Sequence, residues 1–340
     1  MDLPEIDNRS AFAVLPLLLL DREGEHLLIV IKGTFGERRP GELAVATTQR
    51  PVRVVDEPWG DPVTTPPKYP SDLGGARPGA DVALVASAHT PGGRPTSAID
   101  VAVRVGTLAK ELRVHGPRVW LDAGEGVGAA RPIAEAELRY DAAWGGLDAS
   151  APEDVREEPR NPVGRGVVRE RQRLTHTLAP TIEDPRAPID SASRAHVPAG
   201  VGPIGPHWEP RRSLAGTMDA RWLREQAPLL PRDRDPRASS WASPGLHAAA
   251  GFVGGEEIAL LNVTPGGGLL RSVLPVCTVR LETVLGARRE HLQPSLDGVV
   301  LDTLSPEDGS ALTAELVWRA VLPVPRRLAD LGVVVRAEVL

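Results

Sequence analysis

The 340-residue chain contains a single cysteine, Cys277, which excludes an internal disulfide framework and a cysteine-built zinc cage. Lysine is almost absent, since Lys32, Lys68 and Lys110 are its only instances and arginine supplies the other cations. A GC-rich genome accounts for that bias as readily as selection for bidentate contacts does. The formal net charge of −6 gives no basic excess, so nucleic acid is not the expected partner. No apolar run approaches the roughly 20 residues of a membrane-spanning helix, and that at residues 15–20 is far shorter. Asp2, Glu5 and Asp7 stand where a signal peptide would carry basic residues. A soluble cytoplasmic protein without membrane contact is therefore expected.

Catalytic and metal signatures are missing as well. The eight histidines (26, 89, 115, 176, 196, 207, 247 and 291) contain no metal-spaced helical pair and no His-Glu-x-x-His. There is no Gly-x-Ser-x-Gly elbow, and GEGVG at 124–128 lacks the Lys-Ser/Thr of a phosphate-binding loop. Cys277 falls inside a strand pattern, the setting of an inert thiol. No cofactor, metal or catalytic residue is expected. The acidic cluster Glu153, Asp154, Glu157 and Glu158 lacks the spacing of an EF-hand and reads as a solvated, mobile loop within 149–160.

What is present is strand. Residues 11–20 and 27–35 flank the polar turn at 21–24 and should pair as a hairpin. LLIVI in the second arm is apolar on consecutive positions, as in a strand covered on both faces. Residues 41–46 extend the meander, and 56–80, dense in Pro, Gly and Asp, form a long surface connection. Strands are expected at 82–88, 99–105, 108–115 and 118–121. In the second of these, Ile99, Val101, Val103 and Val105 alternate with Asp100, Ala102 and Arg104, the mark of a half-buried antiparallel strand. Strands return at 258–263, 269–274, 276–285, 299–304 and 312–321, with 333–340 at an edge.

The expected fold is mainly β: antiparallel sandwich or barrel-like modules with long irregular loops and one or two short helices. It divides into an N-terminal β module (1–121), a Gly/Pro/Arg-rich covering segment (122–206) anchored by Tyr140, Trp144 and Ile182, and a short helix with a C-terminal β module (207–340). One continuous domain is the alternative. DVALVASAHTPGG (81–93) echoes EIALLNVTPGG (257–267), which reads either as a recurring turn or as a trace of duplication.

Only 207–231, HWEPRRSLAGTMDARWLREQAPLLP, reads as helix, and it is taken as the hub of the chain. Thr217 and Asp219 offer start signals, Met218 and Trp222 share a face beside Leu223 and Ala227, and Pro228 stops the run. Tryptophan and arginine recur together: Arg118 with Trp120, Trp208 with Arg211, Arg221 with Trp222, Trp318 with Arg319. Such groups serve as stacked core elements or as interface anchors. Asn161-Pro-Val-Gly-Arg-Gly166 is a turn that either presents Arg165 to a partner carboxylate or satisfies one within the chain.

Taken in order, these motifs resemble one family. They run from Phe12 and Lys32-Gly-Thr-Phe35 through Gly60-Asp-Pro62, Pro78-Gly-Ala-Asp-Val82, Pro91-Gly-Gly-Arg-Pro95 and Val105-Gly with Lys110. Gly116-Pro-Arg-Val-Trp120, Gly145-Gly146, Asn161 to Gly166 and Ile182-Glu-Asp-Pro185 follow. Trp208-Glu-Pro-Arg211, Ala215-Gly-Thr217 with Asp219 and Trp222, Pro228-Leu-Leu-Pro231, Gly254-Gly-Glu256, Leu301-Asp-Thr303 and Val317-Trp-Arg319 close the series. The ordered set is similar to the domain of unknown function 2169 family, encoded beside type VI secretion effectors and spike proteins, and spans about residues 8–324. Thr181, Met218 and Arg234 depart from its usual asparagine, tyrosine and aromatic residue.

The resemblance implies a non-enzymatic adaptor or chaperone that binds an effector through its spike-tip or N-terminal docking region. It would help load that effector onto the spike, with the spike protein a further candidate partner. Binding would use β-edge addition and Trp/Arg anchors, shaped by Arg118, Trp120, Asn161, Arg165, Trp208, Arg211, Asp219 and Trp222. The competing expectations are a structural component of a contractile assembly, and a hydrolase using paired carboxylates among Glu183, Asp184 and Asp219.

Overall fold

The computed structural model describes residues 3–21, 24–74, 77–324 and 330–340. Three sheets dominate. The largest runs His247–Ala248, Ala80–Val85, Ser295–Asp302, Thr313–Pro323, Glu25–Arg39, Ala13–Leu20, with Glu42–Val45 also paired to Glu25–Arg39. A five-stranded sheet runs Ile182–Glu183, Leu108–His115, Ala98–Val105, Glu257–Leu261, Leu269–Val273. The third runs Glu5–Asn8, Leu331–Val339, Cys277–Leu285, Arg288–Leu292. The fold is thus mainly β with short helices, and no sheet closes into a barrel among the described residues. Most pairs are antiparallel, but Ala80–Val85 with Ser295–Asp302 and Glu5–Asn8 with Leu331–Val339 are parallel.

The expected hairpin forms, with Ala13 opposite Lys32 and Leu20 opposite Glu25. Residues 22 and 23 of its turn lie outside the described residues. Leu27 to Ile31 are completely buried, as their consecutive apolar character requires. Odd positions of Glu25–Arg39 (Leu27, Ile29, Ile31, Phe35) face one apolar core shared by all three sheets, where Phe12 stacks on Trp318 at 5.6 Å. Ala98–Val105 buries Ile99, Val101, Val103 and Val105 into the same core on alternate positions. Strands from both ends of the chain pair with each other in the two larger sheets, so 1–121 and 207–340 share ladders.

Three expectations change. The 207–231 segment is not a continuous helix and not a hub. It contains α1 (Arg211–Leu214) and α2 (Ala220–Glu225), with Asp219 capping α2 by accepting from Trp222 N–H at 2.8 Å. Thr217 does not cap; its hydroxyl donates to Asp233 at 2.6 Å. Met218 and Leu223 are 55% and 66% exposed, because the apolar face is too short to dock on the core. Leu331–Val339 is interior to its sheet, since Glu5–Asn8 adds outside it; Arg288–Leu292, not expected from the sequence, forms the opposite edge. The two Thr-Pro-Gly-Gly turns do not sit in repeated units. The second joins paired strands, whereas the strand after the first pairs elsewhere. Instead the two turns pack on each other, Gly92 N–H donating to Gly266 O at 2.9 Å.

Candidate functional site

Even positions of Glu25–Arg39 and odd positions of Thr313–Pro323 point away from the shared core, and several are charged. Lys32 and Glu315 are fully buried and in contact at 2.7 Å. Lys32 Nζ also donates to Asp72 at 2.9 Å. Glu315 accepts from Arg50 at 2.7 Å and from both Nη atoms of Arg53. Arg50 continues to Asp302 and Glu307 at 2.9 and 2.8 Å, and Tyr69 Oη donates to Asp302 at 2.6 Å. Beside this group Arg319 donates to Asp297 and to the Asp72 carbonyl, and Arg77 donates to Asp81 at 3.0 Å. Asp81 further accepts from Ser240 and the Trp241 N–H and pairs with His247 at 2.8 Å.

The lid over this charged face is the Pro-rich connection after the first hairpin. Val52 and Leu73 pack on Leu28, Val30 and Val317, and Tyr69 lies under Arg53 at 4.2 Å. Residues 75 and 76 of that connection lie outside the described residues. Burial alone would raise the Glu315 carboxyl, but the charges and hydrogen bonds of Lys32 and Arg53 outweigh it and hold the group below the usual range. Every buried carboxylate among the described residues lies within ion-pair distance of a cation of the same chain. Asp81, Asp148, Glu183 and Glu282, like Glu315, are held below the usual carboxylate range, away from that of a general acid at neutral pH.

This ionic core was not foreseen, although its signal is visible. Lys32, Asp81, Asp302, Glu315 and Arg319 are lone charges inside apolar strand patterns, and such charges must be paired when the strand is covered.

At one end of the network a cleft of about 430 Å³ opens, walled by Arg77, Gly79, the 249–253 loop, Pro275, Cys277, Val279, Leu296 and Trp318. The Cys277 thiol in its wall is pushed up to about 12 by burial, so it is unreactive at neutral pH. Lys110 sits elsewhere, donating only to Ser243 Oγ at 3.1 Å and the Pro244 carbonyl at 2.7 Å. Burial without a contacting carboxylate lowers it to about 8, with Asp184 opposing weakly. Because the folded value lies below the ordinary 10.5, the native state binds fewer protons, and the penalty is full below pH 8. Lys110→Met is therefore expected to raise stability by about 1–2 kcal/mol at pH 7, with the gain shrinking as pH rises toward 10.5. Urea denaturation of both proteins across that range reads the difference.

The sequence-derived residues scatter rather than converge. Arg118 is buried and donates to Glu183 and the Pro180 carbonyl, both at 2.7 Å. Trp120 is fully buried and meets Trp144 edge-on, within a satellite core of Leu174, Ala179 and Ile189. Asn161 is fully buried and bonds two carbonyls of the 140–144 turn. Arg165 is half-buried and donates to the Asp141 carbonyl at 2.8 Å, not to a carboxylate side chain. Trp208 is buried edge-on to Tyr140 at 5.4 Å, while Arg211 donates to the Ile204 and Ala238 carbonyls. Asp219 is the exposed cap of α2, and Trp222 is half-buried with its indole N–H on the Leu229 carbonyl.

The expected Trp–Arg stacks are replaced by others: Arg77 over Trp241, and Lys68 and Arg139 over Trp59. Trp318 and Arg319 do point to opposite faces, one into the core and one into the ionic network.

The paired carboxylates weighed as catalysts are otherwise engaged. Burial would raise Glu183, but hydrogen bonds from His115, the Ile189 N–H and Arg118 bring it down to about 2. Asp184 is clamped by Arg186. In the acidic cluster, Glu153, Asp154, Glu157 and Glu158 pair with Arg169, Arg156, Arg212 and Arg160. No group of His, Cys, Asp and Glu is arranged to hold a metal among the described residues, and no described helix is long and apolar enough to cross a membrane.

These features define a mainly β protein whose buried carboxylates, among the described residues, are paired with cations of the same chain. The chain belongs to the DUF2169 family, described as an uncharacterized protein conserved in bacteria, whose family pattern matches residues 22–319. No curated protein and no solved structure matches it.

Proposed function

We propose that this chain is a non-enzymatic adaptor that binds an effector of a type VI or related contractile secretion system and aids its loading onto the spike. The family resemblance supplies the biological setting. The observation that carries the reading is the edge of the seven-stranded sheet. Ala13–Leu20, AVLPLLLL, is an uncharged strand with half-exposed side chains and one unpaired side among the described residues. Natural edge strands are usually short or charged, because an open ladder recruits further strands. An uncharged eight-residue edge, in which Pro16 is the one residue without an N–H to donate, suits β-strand addition by a partner segment. The pairing of Glu315 with Lys32, Arg50 and Arg53, which holds its carboxyl below the usual range, favours a rigid scaffold over a reacting site.

The test is co-expression with the effector encoded beside it, followed by affinity purification. Retention of a stoichiometric complex and a rise in effector solubility are expected. Placing a charge on the edge, as in Leu15→Lys, should weaken capture by roughly tenfold. Absence of a complex together with unchanged effector solubility would overturn the reading.

A further inference from the structure

The 430 Å³ cleft lies where a ladder of the seven-stranded sheet comes apart. Ala80–Val85 and Ser295–Asp302 pair in parallel from Asp81 opposite Gly298 onward, and a bulge between Leu296 and Gly298 marks where pairing begins. Upstream, Ser295 and Leu296 pair with Arg319 and Trp318 on one side, and their other side faces the cleft. Among the described residues, no strand occupies the position beside them in the sheet. It is continued by Ala80–Val85, and the chain turns out of the sheet at Gly79, whose φ is +69°.

An extended segment laid against Ser295 and Leu296 would therefore run head-on into Gly79 and Ala80. It has to end there, so this place suits a chain terminus and not the middle of a chain. Arg77 stands in the wall of that dead end. Its side chain is 1% exposed, Nη1 is engaged by Asp81 and the Ser239 carbonyl, and Nε has no hydrogen-bond partner. Asp297 Oδ2 lies 3.7 Å from Nε, beyond hydrogen-bond reach, and Asp297 itself is held by Arg319. An unfilled guanidinium donor favours a carboxylate. Phe252, Val253, Val279, Leu296 and Trp318 supply apolar walls.

We propose that this cleft captures the C-terminal carboxylate of an apolar polypeptide tail, laid parallel to Ser295–Asp302 with its end at Arg77. The inference rests on the adaptor reading and specifies the segment recognised. A C-terminus running toward Arg77 has the same direction as Ala80–Val85, so the added residues continue an existing parallel ladder. The volume accommodates about three residues of ordinary size.

The probe is an array of fluorescein-labelled octapeptides whose last three positions sample Ala, Val, Leu and Phe, each made as free acid and as amide. Anisotropy titration against the full chain should find acid peptides that bind, with amidation weakening binding by about tenfold or more. Val253→Glu, at a position 84% exposed on the rim, leaves the fold intact and should weaken the same peptides by about tenfold. Equal binding of acids and amides, unaltered binding by Val253→Glu, or no binding anywhere on the array would each overturn the proposal. Effector co-purification with Val253→Glu separates the two readings. Capture that persists where acid peptides fail to bind removes the cleft and leaves the adaptor. Acid-selective peptide binding by a wild-type chain that captures no effector removes the adaptor and leaves the cleft.

Discussion

Glu315→Gln is expected to cost about 3–5 kcal/mol of stability, a large fraction of the roughly 5–15 kcal/mol that holds an ordinary domain folded. The carboxylate is fully buried and faces Lys32, Arg50 and Arg53 at once. The amide keeps the shape but removes the charge that three cations share, and its NH2 group turns a donor toward donors. Uncompensated cations in a covered sheet face are the expensive outcome, far more than a lost surface pair. The same carboxylate makes the wild type acid-sensitive. Its folded pKa is depressed, so its contribution is complete above the unfolded value near 4.3 and fades as pH falls toward the folded value. Urea denaturation between pH 7 and pH 3 should show the wild type losing stability over that range, and Glu315→Gln losing less, from a lower start. Equal stability of the two proteins at pH 7 would mean that the network contributes nothing net.

Strand placement was legible because period-two patterning and consecutive apolar runs report directly on which faces are covered. The alternation from Ile99 to Val105 and the run from Leu27 to Ile31 both appear at the burial expected of them. The helix at 207–231 was over-read because capping residues and one apolar face are local signals, whereas a helix persists only when that face finds a core. Here Met218 and Leu223 found none.

The ionic network was missed for the opposite reason. Lys32 lies far from Asp72 and Glu315 in sequence, and only the sheet order brings them together. Their spacing carries no motif; what could have exposed them is the cost of a lone lysine in LLIVIKGTF. The tryptophans and arginines of the sequence reading were recognised as important residues, but composition alone could not say which would be covered. Arg118, Trp120, Asn161 and Trp208 lie inside the fold, and α2 with Asp219 and Trp222 lies at its surface.

Asn161→Asp is the sharpest test of that division, because it changes one atom and no volume. Asn161 Nδ2 donates to the Tyr140 and Trp144 carbonyls at 2.8 and 2.9 Å, tying the 161–166 turn to the 140–145 turn. Those partners fix which end of the amide is nitrogen. The close approach is possible because Gly145 and Gly164 lack side chains; an added Cβ would come within 2.2 Å of the Asn161 carbonyl and 2.4 Å of Nδ2 respectively.

Aspartate would set a charged oxygen against two carbonyl oxygens at a fully buried position, with no cation at hand. A loss of about 4 kcal/mol is expected at pH 7, from two abolished hydrogen bonds and one unpaired buried charge. Burial and carbonyl repulsion would raise the new carboxyl above the ordinary aspartate value near 3.9, and its protonated form can donate one hydrogen bond. A raised carboxyl makes the native state bind more protons than the unfolded chain. The deficit relative to wild type should therefore shrink as pH falls from 7 toward 5, here because the variant regains stability on protonation, whereas in the Glu315 pair the wild type loses it. Urea denaturation at both pH values reads this directly. If Asn161→Asp kept full stability yet lost effector capture, Asn161 would belong to the interface, and the tie between the two turns would have to come from their backbone bonds alone.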